Sequence, residues 1–251
     1  MKILSVVLKE VIHMEFTDRW AKSGNENIHY LESTHNDHPL TPLIYVPGAL
    51  NYAEQPVGLL REFEPRKWFS MSLRGRGKSD GPGSGYALKN HVRDIEAVVV
   101  HSQLRDYCLL AYSMGVPYAI KFASKSPGIK GLILCDYPAK YPAIPESWAE
   151  RILSRGYIQK EKEHAVTGIQ RESQSTDLCP ELKEIRVPVL VIKGGTADSL
   201  LTEADTGLYR ENLQSVKIAQ LAESGHVLWE PDREKFLQVI KEFLGELDRL
   251  S

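Results

Sequence analysis

The stretch Tyr107-Cys108-Leu109-Leu110-Ala111-Tyr112-Ser113-Met114-Gly115 decides how this chain is read. Its first six residues form a short apolar run, the pattern of a buried strand. After Ser113, Val116, Ile120 and Ala123 recur at helical spacing. A strand therefore passes straight into a helix at Ser113. A serine on so sharp a turn has a strained backbone, and the chain crosses itself closely there. The residues two before and two after it must be small, as Ala111 and Gly115 are. Such a turn presents Ser113 Oγ at the carboxyl end of a sheet, beside the positive end of the following helix. Ser113 is the candidate nucleophile.

Outward from this point, strands and helices alternate. Residues 26–32, 42–47 and 67–73 read as strands, as do 129–136, 187–194 and, more weakly, 216–221. Leu88, Val92, Ile95 and Val99 mark one face of a helix over roughly 87–103. A last helix follows Pro231, with Phe236, Val239, Ile240, Phe243 and Leu247 at helical spacing. This rhythm predicts an α/β fold with a mostly parallel central sheet and helices on both faces. Residues 138–183 break the rhythm. They open with Pro138, Pro142 and Pro145, hold polar helical stretches near 146–155 and 158–173, and contain no convincing strand. The expected organisation is a core of residues 14–137 and 184–251, with 138–183 as a small helical cap inserted between late strands.

Of the 251 residues 42% are hydrophobic and 25% charged, the balance of an ordinary globular protein long enough to bury a large core. A formal net charge of −2, without blocks of like charge, gives no electrostatic case for nucleic acid or an anionic membrane. The opening MKILSVVLKEVIH is too short and too charged for a signal peptide, no run approaches a membrane span, and a cytoplasmic protein is expected. Met14 is an alternative start, because the recognisable pattern begins after it. Cys108, Cys135 and Cys179 have no metal or redox spacing, and the first two are expected to be buried, inert thiols. His35-x-x-His38 lacks a third ligand nearby, so no metal site is expected there.

Ser113 needs a base and an acid. His226, in Glu223-Ser224-Gly225-His226-Val227, lies between the last strand and the last helix and can reach across the top of the sheet. An ordinary imidazole can take a hydroxyl proton at neutral pH and return it. Asp198 follows the strand VPVLVIK in Gly194-Gly195-Thr196-Ala197-Asp198 and is the expected acid; Asp136, closing the strand before, is its rival. The order Ser, Asp, His results. Negative charge built on a substrate oxygen needs two waiting N–H groups. Met114 is expected to supply one and Ala49, in Pro47-Gly48-Ala49-Leu50, the other, with Leu50 second.

Over roughly residues 25–245 these features resemble the α/β-hydrolase superfamily, particularly its compact esterases, lactonases and C–C bond hydrolases. Leu73-Arg74-Gly75-Arg76-Gly77-Lys78-Ser79-Asp80 is similar to the family's Arg-Gly-His-Gly-x-Ser segment, a structural marker. Two positions depart from the family pattern: Pro47 where His is frequent, and Ala111 where Gly is usual. The resemblance implies hydrolysis of a carboxylic ester or lactone through an acyl-serine, with no metal or organic cofactor. Ser113, His226 and Asp198 would form the triad, with Met114 and Ala49 as oxyanion donors. A cap of this size implies small to medium acyl groups. Tyr137, Tyr141, Trp148, Tyr157 and Trp229 are candidates for its pocket wall. The partner implied is a small-molecule ester-type substrate. A thioester or C–C bond hydrolase, or a small-ligand receptor without turnover, stays open.

Overall fold

Every residue of strand β5 (Tyr107–Tyr112) is buried, as expected of a central strand covered on both faces. The structure, a computed structural model, describes residues 16–34, 39–156 and 158–250. Met14, Tyr157 and the His35-x-x-His38 motif lie outside them. Beside β5 run β3 (Leu43–Val46), β4 (Trp68–Met71), β6 (Ile129–Cys135), β9 (Val189–Gly194) and β10 (Val216–Leu221), all parallel. Strands β1 (Phe16–Ser23) and β2 (Glu26–Ser33) complete eight strands as an antiparallel pair, in the order β1-β2-β4-β3-β5-β6-β9-β10.

Alternate residues of each strand face opposite sides, so the sheet feeds two cores. On one side Ile44, Phe69, Leu109, Leu132 and Val191 pack with helices α2 (Leu88–His101) and α3 (Gly115–Ala123). On the other, Leu43, Trp68, Leu110, Ile133 and Ile192 meet α1 (Val57–Leu60) and, later in the chain, a long terminal helix. That terminal helix lies close to the sheet at Gly131, where a Cβ would stand 2.4 Å from Leu247.

The segment between β6 and β9 holds two short strands, β7 (Lys140–Tyr141) and β8 (Thr176–Asp177), which pair antiparallel. It also holds α4 (Glu146–Ser154), α5 (Glu163–Glu172) and α6 (Cys179–Leu182). The expectation of no strand here is corrected: two-residue ladders are too short to leave a period in the sequence. The segment is tied down by polar contacts to one loop. Lys162 Nζ donates to Ser79 O at 2.8 Å, His164 Nε2 lies 2.9 Å from Gly81 O, and Glu172 accepts from Gly85 and Tyr86 N–H. Helix α7 (Glu203–Asn212), between β9 and β10, starts with a Thr202–Asp205 capping box. The terminal helix is α8 (Arg233–Arg249), whose Phe236, Ile240, Phe243 and Leu247 form the expected buried stripe. Among the described residues no helix is long and apolar enough to cross a membrane.

Candidate active site

Ser113 stands between β5 and α3 with φ of 53°. Left-handed backbone is costly for a residue with a Cβ, and its surroundings enforce it. Ser113 N–H donates to Cys135 O at 3.0 Å, and its carbonyl accepts from Val116 N–H at 2.9 Å. The steric reading of the turn is met: a Cβ on Gly115 would lie 2.6 Å from the carbonyl oxygens of Val46 and Pro47. Ala111 is fully buried.

His226 bridges two groups. Its Nε2 lies 2.9 Å from Ser113 Oγ, and its Nδ1 lies 2.9 Å from Asp136 Oδ2. An ionised carboxylate only accepts, so Nδ1 carries the proton and Nε2 is left as the acceptor for the serine hydroxyl. The Tyr112 ring stacks on the imidazole at 5.0 Å, and Trp229 packs against Tyr112 at the same separation.

The acid is therefore a correction. Asp198 is exposed, and no hydrogen bond or ion pair joins it to His226 among the described residues. Its Cβ presses instead on Gly225, where a Cβ would be 2.7 Å away. Both aspartates come after neighbouring strands, but the loop after β9 curls back over the end of β6. That brings Ser199 and Leu200, not Asp198, inward to serve Asp136. Oδ1 of Asp136 accepts from Gly194 N–H (3.0 Å) and Ser199 Oγ (2.5 Å), and Oδ2 from Leu200 N–H (2.9 Å) and His226. Burial alone would raise the pKa of Asp136. The bonds from His226, Ser199, Gly194 and Leu200 outweigh burial and hold the carboxyl below the usual range. Asp136 also has a left-handed backbone, φ 48°.

The two expected oxyanion donors lie on adjoining segments. Met114 directly precedes α3, and Ala49 comes after the Pro47-Gly48 turn that ends β3. A Cβ on Gly48 would be 3.2 Å from Ser113 Cβ, a tight approach that glycine makes without displacing the serine. Arg76 Nε donates to the Ala49 carbonyl at 2.8 Å and fixes the Ala49–Leu50 peptide, which carries the N–H of Leu50, the second candidate donor.

The candidate wall residues separate. Tyr137 OH lies 3.7 Å from Met114 Sδ, Tyr141 is buried, and Trp148 packs part-buried on the core. Trp229 belongs to the His226 side, against Tyr112. Cys108 and Cys135 are buried free thiols, their pKa values pushed far up by burial. A cavity of about 380 Å3 between the core and α5 is lined by Leu50, Glu54, Arg76, Lys78, Lys162 and Ala165. A larger groove of about 900 Å3 is walled by Lys89, Arg93, Tyr141 and Arg171; neither it nor the smaller cavity is lined by Ser113 or His226. Asp18, His29 and Glu54 cluster within 4.8 Å, but Lys78 Nζ already lies 2.6 Å from Asp18 and 3.3 Å from Glu54, as their internal cation.

Arg76 escaped the sequence reading. Arg74 pairs with Asp94 (2.6 Å), a buried couple that pins the loop to α2. Arg76 is as deeply buried and has no such partner among the described residues. The near-repeat Arg-Gly-Arg-Gly with a single nearby aspartate on the following helix was the available signal.

No protein-family model matches the sequence. The chain is 25% identical to N-formylmaleamate deformylase of Pseudomonas putida, across 86% of this chain and 92% of that protein. It is 24% identical to an AB hydrolase superfamily protein of Bacillus subtilis, across 70% of this chain and 81% of that one. Among solved structures, proline iminopeptidase of Mycobacterium smegmatis matches with a TM-score of 0.73 at 16% identity, covering 93% of this chain and 99% of that chain.

Proposed function

We propose that this protein, which belongs to the α/β-hydrolase superfamily and has its fold, is a serine hydrolase that cleaves carboxylic acyl compounds through an acyl-serine. The observation that carries this reading is His226 bridging Ser113 and a fully buried, four-fold hydrogen-bonded Asp136.

Ser113 Oγ attacks the substrate carbonyl carbon as its proton passes to His226 Nε2. The carboxylate of Asp136 holds the Nδ1–H tautomer and stabilises the imidazolium. The N–H groups of Met114 and Ala49 receive the oxyanion. The tetrahedral intermediate collapses, and the leaving group departs with the proton from His226. Water then attacks the acyl-serine with His226 as base, and the acid and the free hydroxyl are released.

Carboxylic esters of small to medium acyl groups, lactones included, are the proposed substrates. A deformylase and a peptidase among the similar proteins favour an amide as the second reading. The test is turnover of matched p-nitrophenyl esters and p-nitroanilides by wild type and Ser113→Ala, with labelling by a fluorophosphonate. Ser113→Ala is expected to lose about 10⁴-fold or more in kcat and all labelling. Undiminished turnover in that variant would refute the mechanism, and the ester-to-anilide ratio chooses between the substrates.

A further inference from the structure

We propose that Arg76 Nη2 and the hydroxyls of Tyr118 and Tyr141 form an anion-recognition site beneath the inserted segment, and that the acyl substrate carries a carboxylate held there. The inference rests on the serine-hydrolase reading for the identity of the reacting end.

Three of the five N–H donors of Arg76 are spent on neutral groups. Nε donates to Ala49 O at 2.8 Å, and Nη1 to Arg74 O at 2.5 Å and to His91 Nε2 at 2.9 Å. Nη2 is shut off from solvent and has no partner among the described residues. His91 brings no charge. Its Nδ1 faces Ala87 O at 3.1 Å, so Nε2 is the lone pair that meets Arg76, and burial pulls its pKa well below the ordinary value. Burial also lowers the pKa of Arg76, but a guanidinium stays charged at neutral pH. The one acid that acts on it, Asp94, is already paired with Arg74, so among the described residues this buried positive charge has no counter-ion of its own, a state proteins avoid unless a ligand supplies one.

Two further donors stand in the same region. The Tyr118 ring stacks flat on His91, at 4.6 Å and 7°, and Tyr141 tilts against Tyr118 at 5.8 Å. Both hydroxyls are buried, interact with one another, make no well-formed hydrogen bond among the described residues, and lie within electrostatic reach of Arg76. A carboxylate carries one charge and accepts at two oxygens, so one such group neutralises the single guanidinium and satisfies all three donors. A neutral carbonyl would leave the charge bare.

The location joins this site to the chemistry. Gly48 abuts Ser113, and the next residue, Ala49, is the one that Arg76 holds. Adjacent residues are about 3.8 Å apart, so a short spacer separates the reacting carbonyl from the carboxylate. The 380 Å3 cavity reaches Arg76, and its wall carries Lys162 beside the paired Lys78 and Glu54, a balance that favours anions. The substrate class is a half-ester or half-amide of a short dicarboxylic acid.

Binding and turnover test this separately. Malonate, succinate and glutarate are titrated calorimetrically into Ser113→Ala, and into the same protein with Arg76→Met or Tyr118→Phe added. Saturable binding of at least one is expected, weakened about tenfold or more by Arg76→Met, the loss expected for a charge-assisted hydrogen bond. Tyr118→Phe should weaken it less. Absence of binding to folded Ser113→Ala, or equal binding by all three proteins, overturns the site. In parallel, the monoethyl and diethyl esters of the same acids are compared. The wild type should prefer the half-ester through a lower KM, and that preference should collapse in Arg76→Met. If Arg76→Met does not fold, Tyr118→Phe decides, since it removes one oxygen, and an unchanged preference overturns the site. Equal turnover of both esters keeps the serine mechanism and sinks the carboxylate. Arg76-dependent binding with no turnover supports the site and sinks the hydrolase reading.

Discussion

Replacing Asp136 with asparagine keeps the side chain's shape and removes its charge, and the four donors around it govern the cost. Each carboxylate oxygen accepts two hydrogen bonds: Gly194 N–H and Ser199 on one, Leu200 N–H and His226 Nδ1–H on the other. An amide NH2 on the His226 side would turn a donor against Nδ1–H. The imidazole would switch to the Nε2–H tautomer and lose its capacity to accept from Ser113. That loss is about 10⁴-fold in kcat, or about 5.4 kcal/mol at 1.36 kcal/mol per factor of ten. In the opposite orientation the NH2 meets Gly194 N–H, orphaning a buried donor at a cost of about 1–3 kcal/mol in stability. Asparagine must therefore fail in activity, in stability, or in part of each. Asp198→Asn is the contrast, because that side chain is exposed, and a change within about twofold is expected. The assay is steady-state ester hydrolysis by both variants with urea unfolding alongside. A loss of about a hundredfold in Asp198→Asn, with Asp136→Asn near wild type in rate and stability, would refute the assignment of the acid.

Arg74→Met leaves Asp94 buried without its guanidinium and with only the backbone N–H of residue 74, so it should cost about 3–5 kcal/mol by chemical denaturation; a loss under about 1 kcal/mol would contradict this. Gly115→Ala drives a Cβ into the carbonyls of Val46 and Pro47, so about 1–3 kcal/mol of stability should go, with kcat falling as the elbow shifts. Ser199→Ala removes one donor from a carboxylate whose folded pKa is depressed. The stability that this depression gives is present above the unfolded value of about 3.9 and disappears as pH falls through the folded value. The variant should therefore be about 1–3 kcal/mol less stable at pH 7, and the gap should narrow in unfolding curves taken below that range. A gap that stays constant as pH is lowered until the folded carboxyl is protonated would exclude the cause.

The elbow, the base and the parallel sheet were legible because each has a local signature: small residues two either side of Ser113, a histidine after the last strand, and apolar runs of strand length. The acid was not, since Asp136 and Asp198 end neighbouring strands and only the path of residues 195–201 separates them. Strand β1 hid because it lies at the sheet's edge with few buried residues and with Trp20 47% exposed, leaving no clear alternation. Helix α7 hid among polar residues, burying only Thr206 and Tyr209. Its capping box was a readable signal that went unread. The near-repeat Arg-Gly-Arg-Gly with one aspartate on the following helix signals that one arginine goes without an ion pair, but not that Asp94 takes Arg74 rather than Arg76.

Two residues of the proposed triad, Ser113 and Asp136, hold left-handed backbone at the ends of adjacent strands. Glycine adopts that conformation freely, so Ser113→Gly should relax the turn that reactivity requires. Drift under selection for stability alone would then tend to erase the serine first. Variants recovered for heat resistance without a check on turnover are the ones in which this position should change, and its retention in a lineage is a sign that the hydroxyl is in use.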